Sequence, residues 1–525
     1  MAATESMNSI DTSAAMIAGP TQLADWLVLM PVVIPIVAGA VLLMARHEVR
    51  LHAMIAIGAL GLAFAGAAGL LYRVVTEGTL VMTMGRWVPP FGISFSADAL
   101  GATFATAATF VALAGAIFAI RDIDATGRRY GFYPFLLLMM AGVNGAFLTG
   151  DIFNLYVWFE VFVIASFGLL ILGSEQRQLD GATKYAILNL VATTIFLVTT
   201  GMLYGTFGTL NMADIARKAP QLRESGPLMT IAALYLLAFG MKAAAFPLNF
   251  WLPASYHTPR IVTSALFGGL LTKVGIYALL RVFLTLMPVE RGVLSELIAW
   301  LAAATMILGI MGALSQSDVR RIAGFVVISG IGVMLAGLAL GSPVGVAGTV
   351  LYAVHSILVM TALYLLAGLM HEAGGSYSLH EVSGLYRSNP FLAAIALAVV
   401  LAASGLPPLS GLWPKVMLVK ASVDGGAWWL AFAILLSGFL TTIALGRVFI
   451  LAFWRNSPTA GDDSADFGGA GKARPGGYMV LGMLALPMIA IGVYPDPFMQ
   501  LADVAAAGLL DPSGYIQAVF PGGGG

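Results

Sequence analysis

Between residues 26 and 499 the chain is a series of apolar runs, each near the roughly 20 residues a helix needs to cross a hydrocarbon layer. One of them, Phe391 to Ala403 (FLAAIALAVVLAA), is apolar on every face. Strands of a membrane barrel alternate polar and apolar residues. This run does not, so helices are left as the spanning structure that satisfies its own backbone. Of the 525 residues only 10% are charged and 59% are hydrophobic, against about 25% charge in a soluble domain. The fold class is therefore all-α and polytopic, with the lipid bilayer as its solvent. A net charge of zero leaves no electrostatic footprint for nucleic acid. The absence of cysteine excludes disulfides, thiolate chemistry and cysteine-held metal or iron–sulfur centres. No metal and no cofactor is expected.

About fourteen spans are legible. The fourth and fifth are separated only by Thr149-Gly150-Asp151, and residues 390–420 are too long for one straight span. Gly405, Pro407 and Pro408 interrupt that last stretch, which predicts two half-helices around an unwound piece. A second lysine-and-proline break is expected at Lys242 and Pro247. Residues 209–223 read as a short surface helix and 456–476 as a flexible connector. The tail from 500 to 525 ends in four glycines and is expected to fray. The first 25 residues are small and polar, carry no Lys or Arg, and read as a loose tail rather than a signal peptide. Basic residues favour the odd-numbered loops, for example Arg46, Arg128, Arg129, Arg320, Arg321 and Arg455. The positive-inside rule then puts those loops in the cytoplasm and both termini outside.

Five titratable groups interrupt the apolar runs. Lys242 lies within Leu234 to Phe250, five residues before Pro247. An ammonium at mid-membrane depth costs about 3 kcal/mol on insertion scales, so a chain that keeps one beside a helix break is a candidate for moving charge. Glu160, in Asp151-Ile-Phe-Asn-Leu-Tyr-Val-Trp-Phe-Glu160, has nothing near it in sequence to neutralise it. It must carry a proton or pair with a cation from another helix, and Lys242 is the candidate. Approach and separation of that pair would act as a switch for a proton. The alternative is a static ion pair that fixes helix packing. Lys273 lies about twelve residues into its span, too deep for simple snorkelling to an interface. His355, in Tyr352-Ala-Val-His355-Ser356, can relay a proton near neutral pH or serve as a hydrogen-bonded structural histidine. No second histidine or carboxylate stands at its i+3 or i+4 position, which argues against a metal site. Lys415 follows the Gly405–Pro408 break, whose freed backbone offers it a wet route to one side. Lys420 reads as interfacial, Arg320 and Arg321 as topology determinants, and Trp158, Trp251, Tyr256 and Trp413 as belt or packing aromatics.

Together these segments resemble the antiporter-like membrane subunits shared by respiratory complex I and the multisubunit Mrp-type cation/proton antiporters. The resemblance runs from about residue 85 to 510 and is carried by Asp151–Glu160, Lys242–Pro259 (KAAAFPLNFWLPASYHTP), Leu270–Lys273, Ser315–Arg321 (SQSDVRR) and Gly405–Lys415 (GLPPLSGLWPK). Thr206–Ala213 (TFGTLNMA) and Leu509–Val519 (LLDPSGYIQAV) are nearest to the D-type subunits of the Mrp antiporters, and Lys415 fits them too. The resemblance implies two inverted five-helix repeats, over 133–286 and 293–454. Three helices at 26–132 would precede them, and a connector, a fourteenth helix and a tail at 455–525 would follow. It implies a proton path through Glu160, Lys242, Lys273, His355 and Lys415, and a complex with A, B, C, E, F and G subunits in a prokaryotic plasma membrane. The function so implied is proton translocation within a sodium/proton antiporter. The rival readings are a proton-pumping subunit of complex I or a membrane-bound hydrogenase, and a scaffold whose buried charges are static. One departure stands out: relatives usually carry a lysine about five residues after the matching histidine, and this chain has Met360 there.

Overall fold

The computed structural model describes residues 15–17, 19, 21–223, 226–456 and 475–521. Among them the first half of the chain gives α1 (Met30–Met44), α2 (Val49–Glu77), β1 (Leu80–Thr83), β2 (Ser94–Ala97), α3 (Ala99–Asp122), α4 (Ala125–Arg129), α5 (Phe132–Leu148), α6 (Ile152–Leu170), α7 (Gln176–Phe207), α8 (Met212–Leu222), α9 (Leu228–Ala243) and α10 (Trp251–Ser255). Next comes a long composite helix: α11 (Ile261–Leu266), a π-helical turn at Phe267–Leu271, α12 (Thr272–Leu280) and a second π segment at Arg281–Leu286. The remainder is α13 (Pro288–Ser315), α14 (Val319–Leu340), α15 (Pro343–Gly374), α16 (Leu385–Ser388), α17 (Pro390–Ser404), α18 (Leu412–Asp424), α19 (Trp428–Phe449), α20 (Pro475–Val493), α21 (Asp496–Leu510) and α22 (Ser513–Val519).

Ten of the described helical segments are long and apolar enough to cross a membrane, and α1, α5, α9 and α17 are shorter apolar helices. Three are enclosed by the rest. The most apolar window of Ile261–Leu286 is 100% buried, and those of α14 and α15 are 94% buried, whereas α2 and α7 bury 39%. A helix that is apolar all round and wholly inside is a core helix, while the outer ones turn apolar side chains to lipid or to partner helices. Lys273 and His355 therefore sit on the innermost elements.

Both expected breaks occur, and they are built alike. α9 ends at Ala243 and α17 at Ser404; the next residues, Ala244 (φ +62°) and Gly405 (φ +81°), are left-handed. In each case the following amide reaches back five residues, Ala245 N to Gly240 O at 2.9 Å and Leu406 N to Leu401 O at 3.0 Å. This is the Schellman arrangement that closes a helix C-terminus. Pro247 and Pro408 then keep the chain from resuming a helix at once. The surface helix expected within 209–223 is α8, capped by Asn211, whose Oδ1 accepts from Ala213 N and Asp214 N.

The structure corrects two expectations and adds an element. The tail does not fray from residue 500: α21 buries Ala502, Ala505, Ala506 and Leu509 at helical spacing against its neighbours, and α22 buries Tyr515 and Val519. The N-terminal tail is not wholly loose, because Ile17 N donates to Arg86 O at 2.8 Å and Val88 N to Ala15 O at 2.9 Å. Residues 1–14, most of the connector 456–476 and the last four glycines lie outside the described residues. A short antiparallel pair that the sequence reading lacked joins β1 with β2 (Leu80 opposite Ala97, Thr83 opposite Ser94), with β2 against α3 and α5 and β1 against α22.

Candidate functional site

Lys242 is the penultimate residue of α9 and is buried. Its Nζ donates to Asn189 Oδ1 of α7 at 3.2 Å, and the Phe159 ring of α6 lies 5.6 Å away. Asn189 Nδ2 donates to Tyr185 O at 2.9 Å, which turns the amide oxygen toward the lysine. Glu160, next to Phe159, is half-buried and within electrostatic reach of Lys242. Direct Glu160–Lys242 pairing, the contact expected from sequence, is not among the ion pairs of the described residues. The structure holds the two charges apart, with a neutral amide and an aromatic ring against the ammonium.

At the break after α9, Met241 O accepts from the capping amide Ala244 N at 3.1 Å and also from Trp251 Nε1 at 3.2 Å. On the far side of the break Phe246 N donates to Thr305 Oγ1 of α13 at 3.0 Å. Trp251 and Tyr256 are thus packing aromatics of the break rather than belt residues. Gly275 brings the next element close: a Cβ there would stand 2.8 Å from Ala243 N, so only glycine lets α12 lie against the end of α9. Lys273, two residues earlier, is fully buried and folds back to donate to Gly268 O in the π-helical turn at 2.6 Å. A π turn offers backbone carbonyls in looser geometry than an α-helix does and often marks a functional position.

His355 of α15 is fully buried. Its Nδ1 shares a 2.8 Å hydrogen bond with Ser410 Oγ from the second break, and its Nε2 has no partner among the described residues. Both Lys273 and Lys415 are within its electrostatic reach. A Cβ at Gly411 would stand 3.0 Å from the His355 ring and 2.2 Å from Ala402 O, so the break can come this close only with glycine there. Lys415, one turn into α18, donates to Ser404 O at 2.7 Å, the carbonyl on which α17 ends. A cavity of about 580 Å³ leads from Lys415 past Val419 to the exposed Lys420–Asp424 pair at the end of α18. The rest of its lining, including Leu406, Val416, Leu435 and Phe439, is mainly apolar. Met360 is buried among apolar neighbours, five residues beyond His355.

The five groups thus lie on successive packed elements, but among the described residues no hydrogen bond joins one of them to another. Each rests on a neutral oxygen or amide, Glu160 excepted. The gaps are flanked by buried hydroxyls without partners among the described residues: Thr272 beside Lys273, Ser356 beside His355, and Ser404 at the second break. Three supporting residues escaped the sequence reading: Asn189, Ser410 and Arg281. Arg281 is buried in the same composite helix as Lys273 and pairs with Asp98 Oδ2 at 2.7 Å, while also donating to Tyr277 Oη at 3.2 Å. Tyr277 in turn donates to Phe147 O at 2.8 Å. A charge inside an apolar run is the signal that singled out Lys242, and it marks Arg281 equally well.

At the end of the bundle formed by the odd-numbered loops, Asp318 caps α14 and takes two bonds from Arg320, at 3.2 and 2.7 Å. Burial works against its charge, but the Arg320 guanidinium and its own backbone hold the carboxyl below the usual range. Arg320 also stacks 3.8 Å from the Tyr377 ring, and Arg321 Nη2 meets His257 Nε2 at 3.3 Å. The two arginines are therefore bound into loop structure as well as contributing to the charge bias.

The protein-family model described as NADH:quinone oxidoreductase/Mrp antiporter, TM, matches residues 149–441, which hold all five groups and both breaks. The D-type subunit of the Na(+)/H(+) antiporter of Alkalihalophilus pseudofirmus is 37% identical over 94% of this chain and 99% of its own length. Its namesake from Bacillus subtilis is 35% identical over 94% and 99%. Among solved structures, a chain of the Mrp complex from Dietzia sp. DQ12-45-1b superposes with a TM-score of 0.88 at 28% identity, covering 95% of this chain and 100% of that one. A polytopic helical bundle with a lysine at each of two matching helix breaks, alike over nearly its whole length to these proteins, belongs to the family of NADH:quinone oxidoreductase and Mrp antiporter membrane subunits.

Proposed function

We propose that this chain is the proton-translocating, D-type component of a multisubunit Na+/H+ antiporter in a prokaryotic plasma membrane. The observation that carries the reading is the line of titratable groups, buried Lys242, Lys273 and His355 with half-buried Glu160 and Lys415, threaded past two broken helices. The names of the full-length relatives support it. The fourteen crossings, the inverted repeats at 133–286 and 293–454, a cytoplasmic position for the odd-numbered loops, and A, B, C, E, F and G subunits as partners all belong to this proposal.

The mechanism follows from what each side chain touches. With Glu160 near, the Lys242 ammonium has a counter-charge. With Glu160 withdrawn it is left on the Asn189 amide and the Phe159 ring, and an ammonium without a counter-charge in a low-dielectric interior is expensive. Withdrawal thus drives a proton from Lys242 toward Lys273. His355, hydrogen-bonded to Ser410, passes it from the centre toward Lys415, which can release it through the cavity toward Lys420 and Asp424. Water bridging Thr272, Ser356 and the free Nε2 of His355 closes the gaps that side chains leave. Met360 adds no station to this path, so His355 and water carry that step.

The test is sodium-driven proton movement in inverted vesicles from a host without its own antiporters, using the whole neighbouring operon with Lys242→Ala in this chain. Loss of exchange by an assembled complex is the expected result. Full exchange would move the proton path to a partner and leave this chain as scaffold. The family description also covers NADH:quinone oxidoreductase, so a redox-driven pump is the second reading. Genes for iron–sulfur subunits beside this one would favour it, and genes for small Mrp-type subunits would oppose it.

A further inference from the structure

A second cavity, of about 780 Å³, lies at the odd-loop end, away from the five titratable groups. It is lined by Arg46, His47 and Val49 from the turn between α1 and α2, and by Ala125, Thr126, Arg129 and Tyr130 around α4. Arg46 Nε donates to His47 Nε2 at 3.2 Å, so the imidazole turns an Nδ1–H donor to its surroundings. Among the described residues no carboxylate lines the cavity. None of the ion pairs among the described residues uses Arg46, Arg129 or the neighbouring Arg50. Two guanidiniums that line one hollow, neither in an ion pair among the described residues although Glu48 and Asp124 flank the lining in sequence, suit an anion with forked oxygens.

What lies beside the cavity says which anion. Along α1, Val33, Val37, Val41 and Met44 are all exposed, at 41%, 56%, 38% and 79%, and form one stripe ending two residues before Arg46. At 1.5 Å per residue that stripe is roughly 16 Å long, close to the reach of an acyl chain. On α2, Leu51 and Met54 are also exposed near the same turn. Tyr130, 68% exposed at the rim, is the kind of aromatic that settles at headgroup level. We propose that this cavity is a docking site for an anionic phospholipid, with its phosphodiester on Arg46, Arg129 and the His47 N–H and one acyl chain along the α1 stripe. A basic hollow between spanning helices at a membrane surface is suited to such headgroups. The site is independent of the proton path and survives if the proposed transport role is wrong.

The test is native mass spectrometry of the full chain in the assembly with which it co-purifies, incubated with phosphatidylglycerol or with phosphatidylcholine. The double variant Arg46→Gln/Arg129→Gln is compared with Arg46→Lys/Arg129→Lys, which keeps the charge. Preferential retention of phosphatidylglycerol is expected, weakened about 10- to 30-fold in the glutamine variant and largely kept in the lysine variant. Equal retention of the two lipids, or unchanged retention in the glutamine variant, would overturn the proposal. Full displacement by millimolar inorganic phosphate would also overturn it, since the site would then read a free anion rather than a lipid. A partner protein cross-linking to Tyr130 in the absence of lipid would overturn it too, by reassigning the face to protein.

Discussion

Among the described residues Asn189 is the only side chain that accepts a hydrogen bond from the Lys242 ammonium, and it lies 53 residues away in sequence. Replacing it with leucine removes a buried acceptor from a charged donor, at about 1–3 kcal/mol. Exchange by Asn189→Leu is expected to fall about tenfold or more in the vesicle assay while the complex still assembles. A wild-type rate would show that the working cycle does not rest the ammonium on this amide. Asp98 and Arg281 pose a different residue-scale question, because they are buried and paired but lie off the proposed path. Breaking such a pair from one side costs about 3–5 kcal/mol. Asp98→Leu and Arg281→Met should each lower the thermal midpoint strongly in detergent, and the double variant should cost clearly less than the sum. Additive losses would mean that the two charges are not coupled. The five titratable groups were legible because a charge is conspicuous in an apolar run, and Arg281 is equally visible by that signal. Asn189 and Ser410 were not legible, since a neutral polar residue acquires its role only from the helix packed against it.

At the scale of elements, the two breaks were readable from Pro247 and from Gly405-Leu-Pro-Pro, because proline cannot continue a helix. Their shared left-handed closure was not, since Ala244 gives no hint that it takes a positive φ. The π segments around Lys273 were also invisible, as they arise from how Ile261–Leu286 packs inside the bundle. The helical tail was readable in principle: Ala502, Ala505, Ala506 and Leu509 repeat at helical spacing, a pattern that the terminal glycines obscure. The start of α14 offers a test with a pH sign. Asp318 accepts from Arg320 N at 2.8 Å and from the Arg320 side chain, which holds its carboxyl below the usual range. A lowered folded value stabilises above the unfolded one, near about 3.9, and that stabilisation disappears as pH falls through the folded value. Asparagine still caps the helix, so Asp318→Asn should lose the Arg320 ion pair alone, up to about 1 kcal/mol at pH 7. Its melting deficit should close in acid well below about pH 4, whereas a deficit that persists there would assign the effect to packing.

At the scale of the whole molecule, composition was enough to name the fold class, but not which helices lie inside. All the spans are apolar, so hydropathy alone does not separate α15, sealed in the centre, from α2 on the rim. The arrangement leaves Lys273 and His355 surrounded by other helices in every direction except along their own axes. Such a sleeve is an electrical insulator as well as a scaffold. A charge displaced across it works with or against the membrane voltage, at roughly 2.3 kcal/mol per elementary charge for each 100 mV. Proton movement through this chain is thus expected to register as current. Collapsing the voltage with a potassium ionophore, while the pH gradient is kept, should change the exchange rate severalfold, whereas an unchanged rate would mean that an equal charge returns in every cycle.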